Sequence, residues 1–81
     1  MNRQAINDKL EVIFREVLDP ALVLSDDLDA SQVPAWDSLN HITLIVEIEE
    51  KFGVELTTDE LAGLLNVGDM IDLLEKKLKA S

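Results

Sequence analysis

Hydrophobic residues recur at helical spacing from the start of the chain. Ile6, Leu10, Ile13, Phe14 and Val17 fall at i, i+4, i+7, i+8 and i+11 with charged residues between them, the stripe of an amphipathic helix. Asp19-Pro20 closes that element, so the pattern predicts a first helix over residues 3–18. From Asp19 to Asp37 the periodicity is lost and Asp, Ser and Pro34 dominate. A connection of this length in a compact domain is either packed or functional. Leu22, Leu24, Leu28, Val33 and Trp36 are spaced to pin it to a core, which predicts an ordered loop. Periodicity resumes at Ser38 and runs to Phe52, with His41, Leu44, Ile45, Ile48 and Phe52 on one broad face and Gly53 placed as the C-terminal stop. Leu39 and Val46 project to the side of that face, beside Thr43, Glu47 and Glu50.

Capping signatures predict two further helices. Thr57-x-x-Glu60 is a capping box opening a short third helix over 58–65. Asn66-x-x-Asp69 resembles a second box, opening a fourth helix over 67–79 with Val67, Ile71, Leu74 and Leu78 as its buried stripe. Lys76, Lys77 and Lys79 lie at its C-terminal end, where the helix dipole favours cations. The expected fold is all-α: an irregular four-helix bundle in one domain spanning 1–81, with a long ordered loop between the first two helices and a short third helix.

Composition narrows the possible roles. With 81 residues the chain is a single small domain, and the absence of cysteine excludes a disulfide framework. Seventeen acids face seven bases, a net charge of −10, while 47% hydrophobic content excludes a disordered acidic tail. The charge is unevenly placed. Residues 1–18 and 66–81 are each neutral, whereas 19–65 hold eleven acids against Lys51 alone. Such a surface repels nucleic acid and anionic lipid and attracts basic protein patches. The start, MNRQAINDKL, has no apolar core of a secretory leader, and apolar runs such as Leu44–Val46 are too short to span a bilayer. A cytoplasmic monomer without nucleic-acid or membrane partners is the expectation.

Little in the sequence supports catalysis. The only histidine, His41, lies three residues after Ser38 and is within reach of it on a helix. A triad would also need an orienting acid and an oxyanion hole, and a half-buried histidine bonded within the bundle is the simpler reading. Asp26, Asp27 and Asp29 suggest a metal loop, but counting from Asp26 puts Leu28 third, Ser31 sixth and Asp37 twelfth, so the EF-hand pattern fails. Turn and capping roles suit these acids better, and no metal is expected. Trp36-Asp37-Ser38-Leu39 remains. Ser38 stands at a helix start, where free backbone N–H groups would stabilise an esterified phosphate. The plainer alternative is that Asp37 or Ser38 is an N-cap.

The order of elements around that tetrapeptide resembles the acyl carrier protein family along nearly the whole chain. The correspondence runs from the first helix through the long loop to Asp37-Ser38-Leu39. It continues through Glu47-Ile48-Glu49-Glu50-Lys51-Phe52-Gly53-Val54 and the short helix after Thr57 to Val67-Gly68-Asp69. Phe52, fourteen residues after the serine and closing a Glu-rich helix, makes the likeness specific. The resemblance implies a non-enzymatic carrier in which Ser38 holds 4′-phosphopantetheine through a phosphodiester, with acyl groups carried as thioesters on the arm's thiol. The absence of cysteine and of a catalytic constellation accords with this, because the cofactor brings the sulfur. Asp37 matches the family's acid before the serine and would support installation by a phosphopantetheinyl transferase.

Partner recognition in the family uses the second helix, which maps onto Leu39, Val46, Glu47 and Glu50, with Trp36 beside them. The implied partners are the transferase, an acyl-loading ligase or acyltransferase, and synthases or downstream enzymes with basic patches. Trp36, Asn40, His41 and Thr43 stand where fatty-acid-synthesis carriers commonly have small or acidic residues. The run from Val33 to His41 is more similar to carriers of specialised pathways than to the general fatty acid synthesis carrier. An aminoacyl or peptidyl carrier is the alternative within the class, and an unmodified acidic docking module the alternative outside it.

Overall fold

A computed structural model describes residues 2–80, the side chain of Ala80 excepted. It contains four α-helices: α1 (Arg3–Val17), α2 (Ser38–Phe52), α3 (Thr58–Ala62) and α4 (Val67–Ala80), with a 3₁₀ turn at Ala30–Gln32 in the long loop. The expected all-helical bundle is thus the observed fold.

Each helix begins on a side-chain cap. Asn2 accepts from Ala5 N–H at 2.8 Å, and Asp37 from Asn40 N–H at 2.8 Å. Thr57 and Glu60 form a reciprocal box, Thr57 N–H donating to Glu60 Oε1 at 2.9 Å and Glu60 N–H to Thr57 Oγ1 at 3.2 Å. The second box differs in detail. Asn66 Oδ1 accepts from Asp69 N–H at 2.9 Å, but the Asp69 carboxylate accepts from Leu65 N–H, one residue before the cap, at 3.1 Å. At the other end of α2, Gly53 adopts φ 66°, a left-handed C′ conformation that favours glycine.

The third helix is shorter than the sequence predicts, ending at Ala62 rather than residue 65. Gly63 N–H bonds back to Glu60 O, the helix tightens, and the chain turns so that Asn66 can cap α4. The amphipathic stripes otherwise become the core. Ile6, Leu10, Ile13 and Phe14 of α1 are fully enclosed, against Leu44 and Ile48 of α2 and Val67, Ile71 and Leu74 of α4. Met70 joins them although it stands outside the predicted stripe, and Leu78 is only partly buried. α1 is the central element, packing on both α2 and α4.

The long loop is held at many points. Leu24, Val33 and Trp36 enter the core and Leu22 and Leu28 pack against it. Leu24 N–H donates to Glu11 Oε2 at 2.9 Å, and Arg15 Nε donates to Leu22 O at 2.7 Å, tying the loop to α1. Val67 and Gly68 N–H donate to Leu28 O and Asp26 O, at 2.9 and 3.0 Å, tying it to α4. Asp29 caps the 3₁₀ turn by accepting from Ser31 N–H, and Asp26 pairs with Arg3 at 2.9 Å. Of the clustered loop acids, Asp29 therefore serves as a cap and Asp26 as an ion-pair partner.

Candidate functional site

Trp36 to Ile42 form the end of the loop and the first turn of α2. The long loop delivers the chain in extended form to Asp37 (φ −99°, ψ −178°), whose carboxylate occupies the N-cap position. Of the two capping alternatives, Asp37 is therefore the cap and Ser38 is the first helical residue. Ser38 is exposed, and among the described residues its hydroxyl has no hydrogen-bond partner. The serine is presented to solvent with its oxygen uncommitted, while the neighbouring acid has a structural role of its own. An N1 residue is also where the unpaired amides of the helix start, and its positive dipole end, favour a negatively charged substituent.

Beside Ser38 lies a groove of about 600 Å³ lined by Ala30, Trp36, Asp37, Ser38, His41 and Ile42. The 3₁₀ turn forms one wall and α2 the other. Trp36 belongs to the core at this point. It is only 8% exposed, meets Phe14 edge-to-face with ring centroids 5.1 Å apart, and donates from Nε1 to His41 Nδ1 at 3.0 Å. Trp36, expected among the docking residues, thus has its indole turned inward and its polar atom taken. His41 is half-buried and bonded within the bundle as the sequence suggested, with Nδ1 given to the indole rather than to Ser38. Asn40 Nδ2 donates to Ala35 O at 2.7 Å, fastening the same corner.

Further along α2, Leu39 (73% exposed) and Val46 (48%) stand in solvent, and Ile42 (61%) lies between them. At ~100° per residue these three fall within ~60° of one another. The sequence reading missed Ile42. Its spacing of three from Leu39 and four from Val46 was the available signal, hidden because α2 carries apolar residues on more than one side. Glu50 is exposed near the end of that stripe, Glu47 is half-buried at its margin, and neither has an ion-pair partner among the described residues. Glu49 is structural, its Oε2 accepting from Leu56 N–H at 3.0 Å.

The family model for the phosphopantetheine attachment site matches residues 8–74, most of the chain and all of this site. The chain belongs to the acyl carrier protein family. It is 35% identical over 82 residues to the acyl carrier protein of Thermosynechococcus vestitus, covering 99% of this chain and 100% of the relative. It is 39% identical over 81 residues to that of Acidothermus cellulolyticus, covering 91% and 89%. The solution structure of a holo acyl carrier protein from Geobacter metallireducens superposes with a TM-score of 0.88 at 42% identity, over 93% of this chain and 87% of that one.

The carrier holds acyl groups as thioesters on a covalent 4′-phosphopantetheine. The residues present suit that group: an uncommitted serine hydroxyl stands on the first turn of α2, with an open groove beside it. When bound, the arm supplies the thiol that the chain lacks. The protein contributes a fixed point of attachment and a surface that other proteins can recognise.

Proposed function

We propose that Ser38 is the attachment residue and that the chain, itself non-catalytic, moves acyl thioesters between cytoplasmic biosynthetic enzymes. The exposed, unpartnered Ser38 hydroxyl at the start of a helix already capped by Asp37 is the observation that carries this reading. A protein whose serine is not activated by a neighbouring base relies on its transferase for that chemistry. Here the nearby imidazole is engaged by Trp36 at Nδ1. Asp37 places a carboxylate next to the acceptor oxygen, a suitable position for helping the transferase hold its magnesium-bound coenzyme A.

Docking belongs to the outer side of α2. Leu39, Ile42 and Val46 offer a small apolar stripe, with Glu47 and Glu50 beside it. Long-range attraction between these acids and a basic partner raises the encounter rate, and the apolar stripe orients the docked pair. A small stripe on one helix supports a weak contact, as a carrier that visits a transferase, a loading enzyme and a synthase in turn requires. Among the described residues no helix is long and apolar enough to cross a membrane. Trp36, Asn40, His41 and Thr43, where general fatty acid carriers commonly have small or acidic residues, support service in a specialised pathway. Monomeric action accords with a docking face exposed on the single chain.

The test is incubation with coenzyme A and a broad-specificity phosphopantetheinyl transferase, read by intact mass. The wild-type chain is expected to gain one phosphopantetheine and Ser38→Ala none. An unmodified wild type, or a full gain on Ser38→Ala, would overturn the assignment.

A further inference from the structure

The groove beside Ser38 contains more than attachment requires. Trp36 is fixed by Phe14 and bonded through its indole N–H to His41 Nδ1. A neutral imidazole that accepts at Nδ1 carries its proton on Nε2, so this bond selects the tautomer. The two ring nitrogens diverge, which directs Nε2–H away from the indole, and among the described residues Nε2 has no hydrogen-bond partner. His41 lines the groove together with exposed Ala30 and Ile42. Apolar walls from Ala30, Trp36 and Ile42 with a few polar groups from Asp37, Ser38 and His41, in a space of about 600 Å³, are the make-up of a small-molecule seat.

We propose that this groove seats the proximal stretch of the carrier's own phosphopantetheine arm. The arm's geminal methyl groups lie against Ala30 and Ile42, and His41 Nε2–H donates to an oxygen of the arm. The proposal rests on Ser38 as the attachment residue. Ser38 is itself part of the groove lining, so an arm tethered there meets the seat at an effective concentration no free ligand reaches. Asp37 on the same rim disfavours a free anionic molecule, whereas a tethered arm is held there covalently. His41 is then a positioning residue for the arm, and Trp36 a positioning residue for His41. A seated arm samples fewer conformations than a free one, and its thiol end is directed along the 3₁₀ turn and α2 rather than at random.

The experiment uses the intact chain loaded from isotope-labelled coenzyme A, with loading verified by intact mass. Nuclear Overhauser contacts from the arm's methyl groups to Ala30 and Ile42 are expected, together with a shift of the His41 Nε2 resonance between apo and loaded forms. His41→Ala is expected to lose these contacts while remaining loaded. His41→Gln, whose amide can both accept from the indole and donate to the arm, is expected to keep them. Ile42→Asp alters an exposed side chain, leaves the core intact and is expected to lose the methyl contacts, which keeps the test decisive should His41→Ala fail to fold. A fully loaded wild type without these contacts, or their persistence in His41→Ala, would overturn the seat while leaving the attachment assignment standing. Absence of any mass gain would overturn both.

Discussion

Asp37 combines two roles that substitution can separate. Its carboxylate caps α2 through Asn40 N–H, and it also places negative charge next to Ser38, the proposed attachment residue. Asp37→Ala is expected to cost about 1 kcal/mol in chemical denaturation, through loss of the cap. Asp37→Asn retains a capping oxygen and is expected to leave stability nearly unchanged. The rate of phosphopantetheine transfer to Asp37→Asn should nevertheless fall, because the charge is gone. An Asn variant loaded at the wild-type rate would assign Asp37 to capping alone. Ser38 presents the opposite case, since its hydroxyl supports nothing in the fold and is free to be modified.

Among the elements, the short α3 depends on α4 for its position. Lys77 of α4 reaches Glu60 of α3 at 2.6 Å, and this bond, with help from Thr57 N–H, lowers the Glu60 carboxyl from 4.5 to about 2. A carboxyl held below its unfolded value contributes stability that is fully present above pH 4.5 and lost as the pH falls toward 2. Lys77→Met should therefore be less stable than wild type at neutral pH, and the difference should narrow between pH 4.5 and 2 in acid-titrated thermal melts. Contact between the loop and α4 is tighter still at Gly68. A Cβ there would lie 3.1 Å from Asp26 O and 3.2 Å from Asp26 Cβ, atoms anchored in a loop that is itself hydrogen-bonded to Gly68 N–H. Gly68→Ala is expected to destabilise by about 1–3 kcal/mol, measured by denaturant titration, as the loop is forced off α4.

Charge distribution acts on the scale of the whole molecule. The ion pairs join α1 to the loop and α4, α3 to α4, and residues within α1 and α4. No ion pair among the described residues uses an acid of α2, so the negative field of the central segment is left unneutralised on the helix that presents Ser38. Glu47→Lys combined with Glu50→Lys is expected to slow association with the basic face of a transferase on the order of tenfold at low salt, and less at high salt, where the Debye length falls below ~10 Å. Stopped-flow binding at two ionic strengths checks both the slowing and its salt dependence. An unchanged association rate would move the docking surface off α2. The apolar stripe acts at shorter range, so changes to Leu39, Ile42 or Val46 should appear in the dissociation rate instead.

Features governed by short-range rules were legible in the sequence. The four helices, the caps at Thr57 and Asn66 and the Gly53 stop follow from spacing and side-chain chemistry within a few residues. The placement of Ser38 at a helix start and the concentration of charge in residues 19–65 were equally readable, because both are properties of linear order. Features that depend on which distant segment covers which face were not. Periodicity marks α2 as apolar on several sides but does not say that α1 covers Leu44 and Ile48 while Ile42 stays in solvent. Trp36 is as suited by composition to docking as to packing, and only the approach of Phe14 from α1 and of His41 from α2 draws it inward. The groove beside Ser38 arises from the same long-range packing, since the 3₁₀ turn that walls it belongs to a loop whose path is set by hydrogen bonds to α1 and α4. Local sequence thus determined where the serine stands. Tertiary packing, which alone brings residues far apart in the chain into contact, decided what lies next to it.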